Sequence, residues 1–277
     1  MDRPFLVINP NTTVGMTQGV EQALAKILQT SKLPYPTLFT APSGIPSIND
    51  DEGCHASADA VLPHLLQSPA SALDSTLASL PPSTAHLSLA DAHSAVLIAC
   101  YSVHPLVSRL AAHYSEHNAT TPVLGIFEAS ILASLALLHA PQDRFGIVTT
   151  GAVWDGILTR GVRDFLGARD EQTKLDRFAG VETTGLTAVE LHDMPADEVS
   201  RRLKEAVKRL IARARGAEGN GALRAVCLGC AGMAGMEQTV RAACVEELGD
   251  ADGRKVHIVD GVKAGYVLLE GMLRTQL

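Results

Sequence analysis

Residues 96–102 read Val-Leu-Ile-Ala-Cys-Tyr-Ser, and residues 226–232 read Val-Cys-Leu-Gly-Cys-Ala-Gly. In each stretch an apolar run without alternation leads to a cysteine that is followed by small or turn-forming residues. Such runs are typical of strands that are buried on both faces of a parallel sheet. Similar runs occur at 4–8 and 144–149, so four buried strands anchor the predicted fold.

Strand-like runs alternate with helical patterns along the chain. Strands are predicted at 4–8, 36–40, 94–99, 122–127, 144–149, 176–181, 223–228 and 255–260. Apolar residues recur at helical spacing from Met16 to Leu28 and from Val199 to Leu210, and Thr12 or Thr13 is placed to cap the first of these helices. This alternation predicts βαβ units and a mainly parallel α/β sheet.

Three matched elements occur in the same order in the two halves of the chain, at offsets of about 130 to 140 residues. The pairs are 9–13 with 146–151, 98–102 with 227–232, and 123–129 with 256–262. We therefore predict two pseudo-symmetric lobes, each with a mainly parallel sheet flanked by helices and with the active site in the cleft between them. Residues 1–118 and 240–277 form the first predicted lobe, and residues 119–239 form the second. The alternative is a chance likeness among generic α/β segments.

The stretch from about 67 to 93 is rich in Ser, Ala and Pro. We predict an inserted surface loop of the first lobe here, with a short helix near 71–80. His86 and His93 lie in or beside this stretch, and we expect them to be solvated.

Composition excludes several classes of protein. The chain has 277 residues, 46% of them hydrophobic and 4% aromatic, and a formal net charge of −7. An acidic chain without a basic run is not expected to bind nucleic acid, and no apolar run reaches the roughly 20 residues that span a membrane. The five cysteines are an odd number and are interpreted as thiols rather than a disulfide framework. We expect a soluble cytoplasmic protein with neither nucleic acid nor membrane as partner.

Cys100 and Cys230 each directly follow a predicted strand. Ligands of parallel α/β sheets bind beyond the carboxyl ends of the strands, and a nearby helix N-terminus stabilises a thiolate. Two thiols on opposite sides of a cleft can remove a proton from one face of a carbon and return one to the other face. Cys54, Cys227 and Cys244 have no such symmetric partner and are predicted to be passive.

Two other kinds of site remain open at this point. Cys227 and Cys230 form a C-x-x-C, which is found in redox dithiols and in halves of zinc sites, although no second half is present. Cys100 with His104 is a candidate nucleophile and base of a hydrolase. Neither phosphate-binding glycine motif is present, so nucleotide binding has no support.

Several motifs of the chain resemble the hydantoin/allantoin racemase family of the aspartate/glutamate racemase superfamily. They lie at 8–13, 42–48, 99–102, 143–150, 228–233 and 259–262. The resemblance spans nearly the whole chain and departs from the family at 67–93 and at Val103-His104-Pro105, where Asp-Pro is more typical. It implies two α/β lobes, no cofactor, no metal and a homo-oligomer, either a tetramer or a dimer.

The resemblance also implies roles for individual residues. Cys100 and Cys230 are the catalytic pair. Residues expected to contact the substrate are Asn11, Thr12, Ile45, Ser47, Tyr101, Ser102, Thr149, Thr150, Ala231 and Gly232, with the backbone N–H groups after each cysteine supporting substrate oxygens. Helix capping is an equally weighted role for Asn11 and the threonines, packing is favoured for the ring of Tyr101, and capping or lobe contacts are favoured for Glu128 and Asp260.

The sequence therefore predicts a cofactor-independent two-cysteine racemase of 5-substituted hydantoins or allantoin, a small-molecule enzyme. The alternatives are another enzyme of the superfamily, such as an amino-acid racemase, a maleate isomerase or a decarboxylase-like protein, and a non-catalytic small-molecule sensor.

Overall fold

The computed structural model describes residues 3–67, 87–168, 170, 173, 175–216 and 220–275. The chain divides into two compact units. The first contains the residues up to Ile126 and those from Gly265 onward, and the second contains Phe127–Ala264. Among the described residues, no helix has the length and apolar character needed to cross a membrane.

Eight strands occur in the described part of the chain, one at each predicted position. They are β1 (Phe5–Asn9), β2 (Thr37–Thr40), β3 (Ala95–Ile98), β4 (Val123–Gly125), β5 (Asp143–Thr149), β6 (Phe178–Thr183), β7 (Ala222–Leu228) and β8 (His257–Asp260). The strand predicted at 122–127 is shorter than expected because the chain becomes helical at Ile126.

Helices connect these strands. They are α1 (Val14–Thr30), α2 (Asp51–Gln67), α3 (Pro105–Glu116), α4 (Ile126–Ala136), α5 (Val153–Phe165), α6 (Glu190–Asp193), α7 (Ala196–Arg215), α8 (Glu237–Leu248), α9 (Asp250–Gly253) and α10 (Gly261–Thr275), with a 3₁₀ turn at Ala231–Met233. The helical spacing in the sequence correctly located α1 and α7. In α7 the periodic residues are buried, including Val199, Leu203 and Leu210, while charged residues occupy the other face.

Each unit contains a parallel four-stranded sheet, and the strand order is the same in both. The order is β2-β1-β3-β4 in the first unit and β6-β5-β7-β8 in the second. The α/β class with parallel sheets flanked by helices is thus confirmed. The matching order makes β3 the counterpart of β7, and both are buried at every position toward their carboxyl ends.

The boundaries of the units differ from those predicted at 118/119 and 239/240. β4 pairs with β3 and so extends the first unit to Ile126, whereas β8 pairs with β7 and keeps most of the predicted C-terminal part of the first lobe in the second unit. Strands pair with segments that are distant in the chain, so the residues around 240 do not indicate which sheet β8 joins.

The structure also differs from the surface loop predicted at 67–93, in the part that it describes. Residues 68–86, including the helix predicted near 71–80 and His86, lie outside the described residues. Beyond them, Leu89 and His93 are fully buried, so the expectation of a solvated His93 is wrong. Its Nδ1–H donates to the Leu89 carbonyl at 2.6 Å and its Nε2 accepts from the Thr37 hydroxyl at 2.7 Å, which satisfies a neutral ring. Burial lowers the pKa of His93 to about 4.

Candidate active site

In the first unit, the carboxyl ends of β1 and β3 are adjacent because Ile8 and Ile98 are paired residues. The backbone N–H of Ala99 continues this pairing by donating to the Ile8 carbonyl at 2.8 Å. Helix α2 joins the same edge, since the Ser57 hydroxyl donates to the Pro10 carbonyl at 2.5 Å. This edge therefore brings together the segment after β1, the segment after β3 and the first turns of α2.

The segment after β1 carries Asn11 and Thr12. Asn11 is buried, and its Oδ1 accepts the Thr13 backbone N–H at 2.9 Å, so its side chain shapes the turn into α1. Thr13 is the residue before α1, yet its hydroxyl donates to the Pro46 carbonyl rather than capping the helix. The predicted capping by a threonine side chain is therefore wrong for Thr13.

The loop of Ile45 and Ser47 is held against this turn. The Thr12 backbone N–H donates to the Ile45 carbonyl at 3.1 Å. Ile45 and Ser47 are half-buried, and the Ser47 hydroxyl donates to the Asn49 side chain at 3.1 Å. The structure thus brings Asn11, Thr12 and Ile45 together in one unit, and contact of these residues with a substrate stays a prediction.

Cys100 lies two residues after β3 and is half-buried. Its Sγ lies 3.5 Å from Oγ of Ser102, and the Sγ of Cys54 donates to the same oxygen at 3.3 Å. Cys54 comes from the first turn of α2 and is 1% exposed. Ser102 and Tyr101 are also buried. The sequence did not predict Cys54 as a neighbour of Cys100. The one sequence feature that could have indicated it is that residue 54 is itself a cysteine.

His104 precedes α3 and caps it. Its Nδ1 accepts the Leu106 backbone N–H at 3.3 Å, and its Nε2 is buried without a hydrogen-bond partner. Burial, followed by the charges of His55 and Arg109, lowers the pKa of His104 to about 4. The ring is therefore neutral near pH 7, with its proton on Nε2 because Nδ1 provides the lone pair.

Donor atoms of Cys54, Cys100 and His104 lie within 4.8 Å of one another, a set with the ligand types of a zinc site. The capping bond to Leu106 occupies the one lone pair that a neutral imidazole ring carries on nitrogen. In this tautomer His104 neither ligates a metal nor accepts a proton from Cys100. This arrangement therefore disfavours both a zinc site at Cys54, Cys100 and His104 and a Cys100–His104 hydrolase dyad.

Cys230 lies two residues after β7 and begins the 3₁₀ turn. Its Sγ accepts the Gly232 backbone N–H at 3.3 Å. Burial raises the pKa of the Cys230 thiol, while the backbone N–H groups of Gly232 and Met233 oppose that rise. Ala231 is half-buried and Gly232 is buried.

The threonines at the carboxyl end of β5 support the same turn. The Gly229 backbone N–H donates to the Val148 carbonyl at 2.7 Å, and the buried Thr149 hydroxyl donates to the Gly229 carbonyl at 2.6 Å. A Cβ on Gly229 would lie 2.6 Å from Cβ of Thr149, so glycine permits this close approach. Thr149 thus holds the backbone next to Cys230. The Thr150 carbonyl accepts the Gly185 backbone N–H, and a role of its side chain toward substrate stays a prediction.

His192 is a candidate neighbour of Cys230 that the sequence did not indicate. A Cβ built on Gly232 would lie 3.3 Å from Nε2 of His192 and 3.5 Å from Sγ of Cys230. His192 belongs to the short helix α6, which packs on the 3₁₀ turn. No sequence motif surrounds His192, so only the packing of α6 on this turn indicates that His192 lies near Cys230.

The two remaining cysteines lie in the core of the second unit. Cys227 is fully buried in β7, where its Sγ lies 3.1 Å from the Ser134 hydroxyl of α4. Cys244 is fully buried in α8, and burial raises the pKa of its thiol to about 11. These buried positions agree with the prediction that Cys227 and Cys244 are passive.

Two acidic residues lie where the last strand of each sheet leads into a helix, Asp260 at the end of β8 and Glu128 after β4. Asp260 caps α10, because its Oδ1 accepts the backbone N–H groups of Val262 and Lys263 at 2.9 and 3.3 Å. Its predicted capping role is confirmed. Glu128 lies in the first turn of α4, and burial raises the pKa of its carboxyl to about 7.

Comparison with known proteins places the chain among racemases. A family model described as Asp/Glu/hydantoin racemase matches residues 5–269. An uncharacterised protein of Schizosaccharomyces pombe is 32% identical over 274 residues, which cover 99% of this chain and 93% of the relative.

Solved structures agree in fold. The allantoin racemase of Pseudomonas fluorescens superposes with a TM-score of 0.67 at 22% identity, covering 99% of this chain and 92% of that one. The allantoin racemase of Klebsiella pneumoniae gives 0.67 at 23% identity, covering 99% and 89%. The resemblance drawn from the sequence motifs is confirmed by the family model. The chain belongs to the Asp/Glu/hydantoin racemase family and is an isomerase of the racemase type.

Proposed function

We propose that this protein is a cofactor-independent racemase of 5-substituted hydantoins or allantoin, with Cys100 and Cys230 as its two acid–base groups. The observation that carries the proposal is the equivalent position of the two thiols. Each lies two residues after the third strand, in spatial order, of a parallel sheet with the same topology. In each unit the residue before the cysteine donates its backbone N–H to the neighbouring strand.

The proposed reaction moves two protons. The thiolate of one cysteine removes the proton from the ring carbon, and the bond electrons move to the adjacent carbonyl to form an enolate. The thiol of the other cysteine then donates its proton to the opposite face of that carbon. At the end the first cysteine is a thiol and the second a thiolate, and exchange with solvent restores the starting state.

Hydrogen-bond donors near each thiol would stabilise the enolate oxygen. Candidate donors are the backbone N–H groups that follow the cysteines, at Tyr101, Ala231 and Gly232, whereas the Ser102 N–H donates to the Cys100 carbonyl at 3.1 Å. Donors of this kind are worth about 3–4 kcal/mol each when they are aimed at the developing charge. The Gly232 N–H already donates to Cys230, which supports its thiolate in the absence of substrate.

The substrate class is supported by the names of the structural relatives, which are allantoin racemases. The test is to incubate the purified, chelator-treated protein with enantiopure 5-substituted hydantoins, allantoin, glutamate and aspartate. Circular dichroism and chiral chromatography then follow the loss of optical activity. We expect racemisation of a hydantoin or of allantoin. Racemisation of glutamate or aspartate alone would replace the proposed substrate class, and a requirement for added zinc would contradict cofactor independence.

Assembly and location remain predictions of the same proposal. A homo-oligomer, either a tetramer or a dimer, is expected from light scattering of the purified protein. A cytoplasmic location is expected for an enzyme that works through free thiols, because reducing conditions preserve them.

A further inference from the structure

The first unit holds a third thiol that the two-cysteine reaction does not use. Cys54 is 1% exposed, whereas Cys100 is half-buried. The Ser102 hydroxyl lies between them, 3.3 Å from Sγ of Cys54 and 3.5 Å from Sγ of Cys100. Ser102 is itself 1% exposed, so water does not compete for these contacts.

When Cys100 is a thiolate, its Sγ can only accept, and the hydrogen bonds among these three groups then have one direction. Cys54 donates its S–H to Oγ of Ser102, which leaves the single hydroxyl proton of Ser102 for another acceptor. Sγ of Cys100 is within reach of that proton. A chain of donors therefore runs from Cys54 through Ser102 to Cys100. Each donor in such a chain polarises the next, and hydrogen bonds to an anion are stronger than those between neutral groups.

We propose that Cys54 is a positioning residue for Cys100, which through the Ser102 hydroxyl stabilises the thiolate of Cys100 while remaining protonated itself. The proposal rests on the proposed catalytic role of Cys100. The chain of hydrogen bonds from Cys54 through Ser102 to Cys100 is called the relay below. The proposal gives the Ser102 side chain a role in this relay instead of a direct contact with substrate.

The charged and titratable neighbours agree with a singly ionised pair. Hydrogen bonding with Cys100 holds the pKa of Cys54 below its usual value, against burial and the carboxylates of Asp51 and Asp50. Because the two sulfurs interact directly, this lowered pKa belongs to the pair rather than to Cys54 alone. His104 is neutral near pH 7 and adds no charge. Water reaches Cys100 better than Cys54, so the negative charge resides on Cys100.

The test measures how alkylation of Cys100 by iodoacetamide depends on pH, with peptide mass mapping of the full chain. Thiolates react and thiols do not, so the midpoint reports ionisation of Cys100. The variants are Cys54→Ala, which removes the donor, Cys54→Ser, which keeps a donor, and Ser102→Ala, which removes the bridge. Cys244→Ala is the matched control, because it removes a buried thiol in the second unit.

We expect Cys54→Ala to raise the midpoint by about one pH unit and to slow alkylation of Cys100 near pH 7 about tenfold. Ser102→Ala should have the same effect, and the double variant should show no further change because both residues act through one chain. Cys54→Ser and Cys244→Ala should keep the midpoint of the unmodified protein. Thermal melting of each variant verifies that it is folded, and Cys54→Ser tests the relay with a side chain of nearly the same shape.

Three results would overturn the relay. They are an unchanged midpoint in Cys54→Ala, an equal shift in Cys54→Ser, and alkylation of Cys54 ahead of Cys100 in the unmodified protein. Labelling needs no substrate, so the relay can hold even where the proposed racemase activity fails. Conversely, loss of racemisation in a Cys100 variant combined with an unchanged midpoint in Cys54→Ala would support the proposed function and reject the relay.

Discussion

Cys100 and Cys230 occupy the same place in two sheets of the same topology, but their sulfur atoms have different partners. Cys100 lies among side chains, with Ser102 and Cys54 in contact. Cys230 accepts a backbone N–H from Gly232, in the 3₁₀ turn that follows it. The hydrogen-bond partners of Cys100 are therefore side chains, which mutation can remove. The partner of Cys230 is a backbone N–H, which a side-chain substitution does not remove.

This difference shows how a repeated fold gives two thiols unlike surroundings. The strand order determines where each thiol lies, whereas the groups packed around its sulfur determine how readily it ionises. Burial raises the pKa of Cys230, whereas in the first unit hydrogen bonding with Cys100 lowers the pKa of Cys54. We therefore propose Cys100 as the base and Cys230 as the acid of the two-cysteine reaction.

The largest expected effect is the loss of either thiol. Cys100→Ser and Cys230→Ser should each lower racemisation by at least about 100-fold, since each removes a general acid–base group. Chiral chromatography measures racemisation, and proton NMR in heavy water measures exchange of the ring proton. Each variant should retain exchange with one enantiomer, because the remaining thiol acts from a single face. Full racemisation in either variant would contradict the two-base assignment, and Cys244→Ala serves as the control.

The second expected effect concerns the residue before each thiol, which is Ala99 in one unit and Gly229 in the other. Gly229→Ala should lower the free energy of unfolding by about 1–3 kcal/mol, because its Cβ would lie 2.6 Å from Cβ of Thr149. Urea denaturation measures the change. Gly151→Ala is the control, since its added Cβ would meet no atom within 4 Å, and it should change stability by less than about 0.5 kcal/mol. Equal stability of both variants would reject the close approach at Gly229.

The third expected effect is a difference in how the two thiols titrate. Cys100 should be alkylated at least about tenfold faster than Cys230 near pH 7, because the raised pKa of Cys230 leaves little thiolate there. The rate at Cys230 should continue to rise with pH above the midpoint of Cys100. Peptide mapping across a pH series measures both rates. A midpoint for Cys230 at or below that of Cys100 would reverse the assigned acid and base.

The smallest expected effect tests the cap that His104 provides next to the Cys100 loop. His104→Ala should lower the free energy of unfolding by about 1 kcal/mol, whereas His104→Asn should retain much of it because asparagine is a good helix cap. Thermal and urea unfolding give the values. If His104 were instead the base for Cys100, both variants would raise the midpoint of Cys100 alkylation equally, regardless of their stability.

Much of the fold was accessible from local patterns. The apolar runs located all eight described strands, and the helical spacing of apolar residues located α1 and α7. The matched motifs indicated that Cys100 and Cys230 are equivalent, and the shared strand order agrees with this. These features are local in the chain, since burial on both faces, helical periodicity and turn residues are each visible within a short window.

Other features depended on contacts between distant segments. The boundary near 240 was misplaced because the pairing of β8 with β7 is not visible in either strand alone. His93 is buried through bonds to Leu89 and Thr37, the second of which is 56 residues away. Cys54 was predicted to be passive because it has no symmetric partner after a strand. Nothing around it in the sequence indicates that it lies against Ser102 and Cys100, 48 and 46 residues further along the chain.

The amino-acid sequence by itself determined two α/β repeats with a thiol after an equivalent strand in each, because strand burial and turn formation follow from neighbouring residues. Tertiary structure alone decided which groups surround each thiol. Helix α2 brings Cys54 to Ser102 in the first unit, and the 3₁₀ turn directs the Gly232 N–H to Cys230 in the second. Protonation depends on such close contacts and on burial, and both arise only when distant segments pack together.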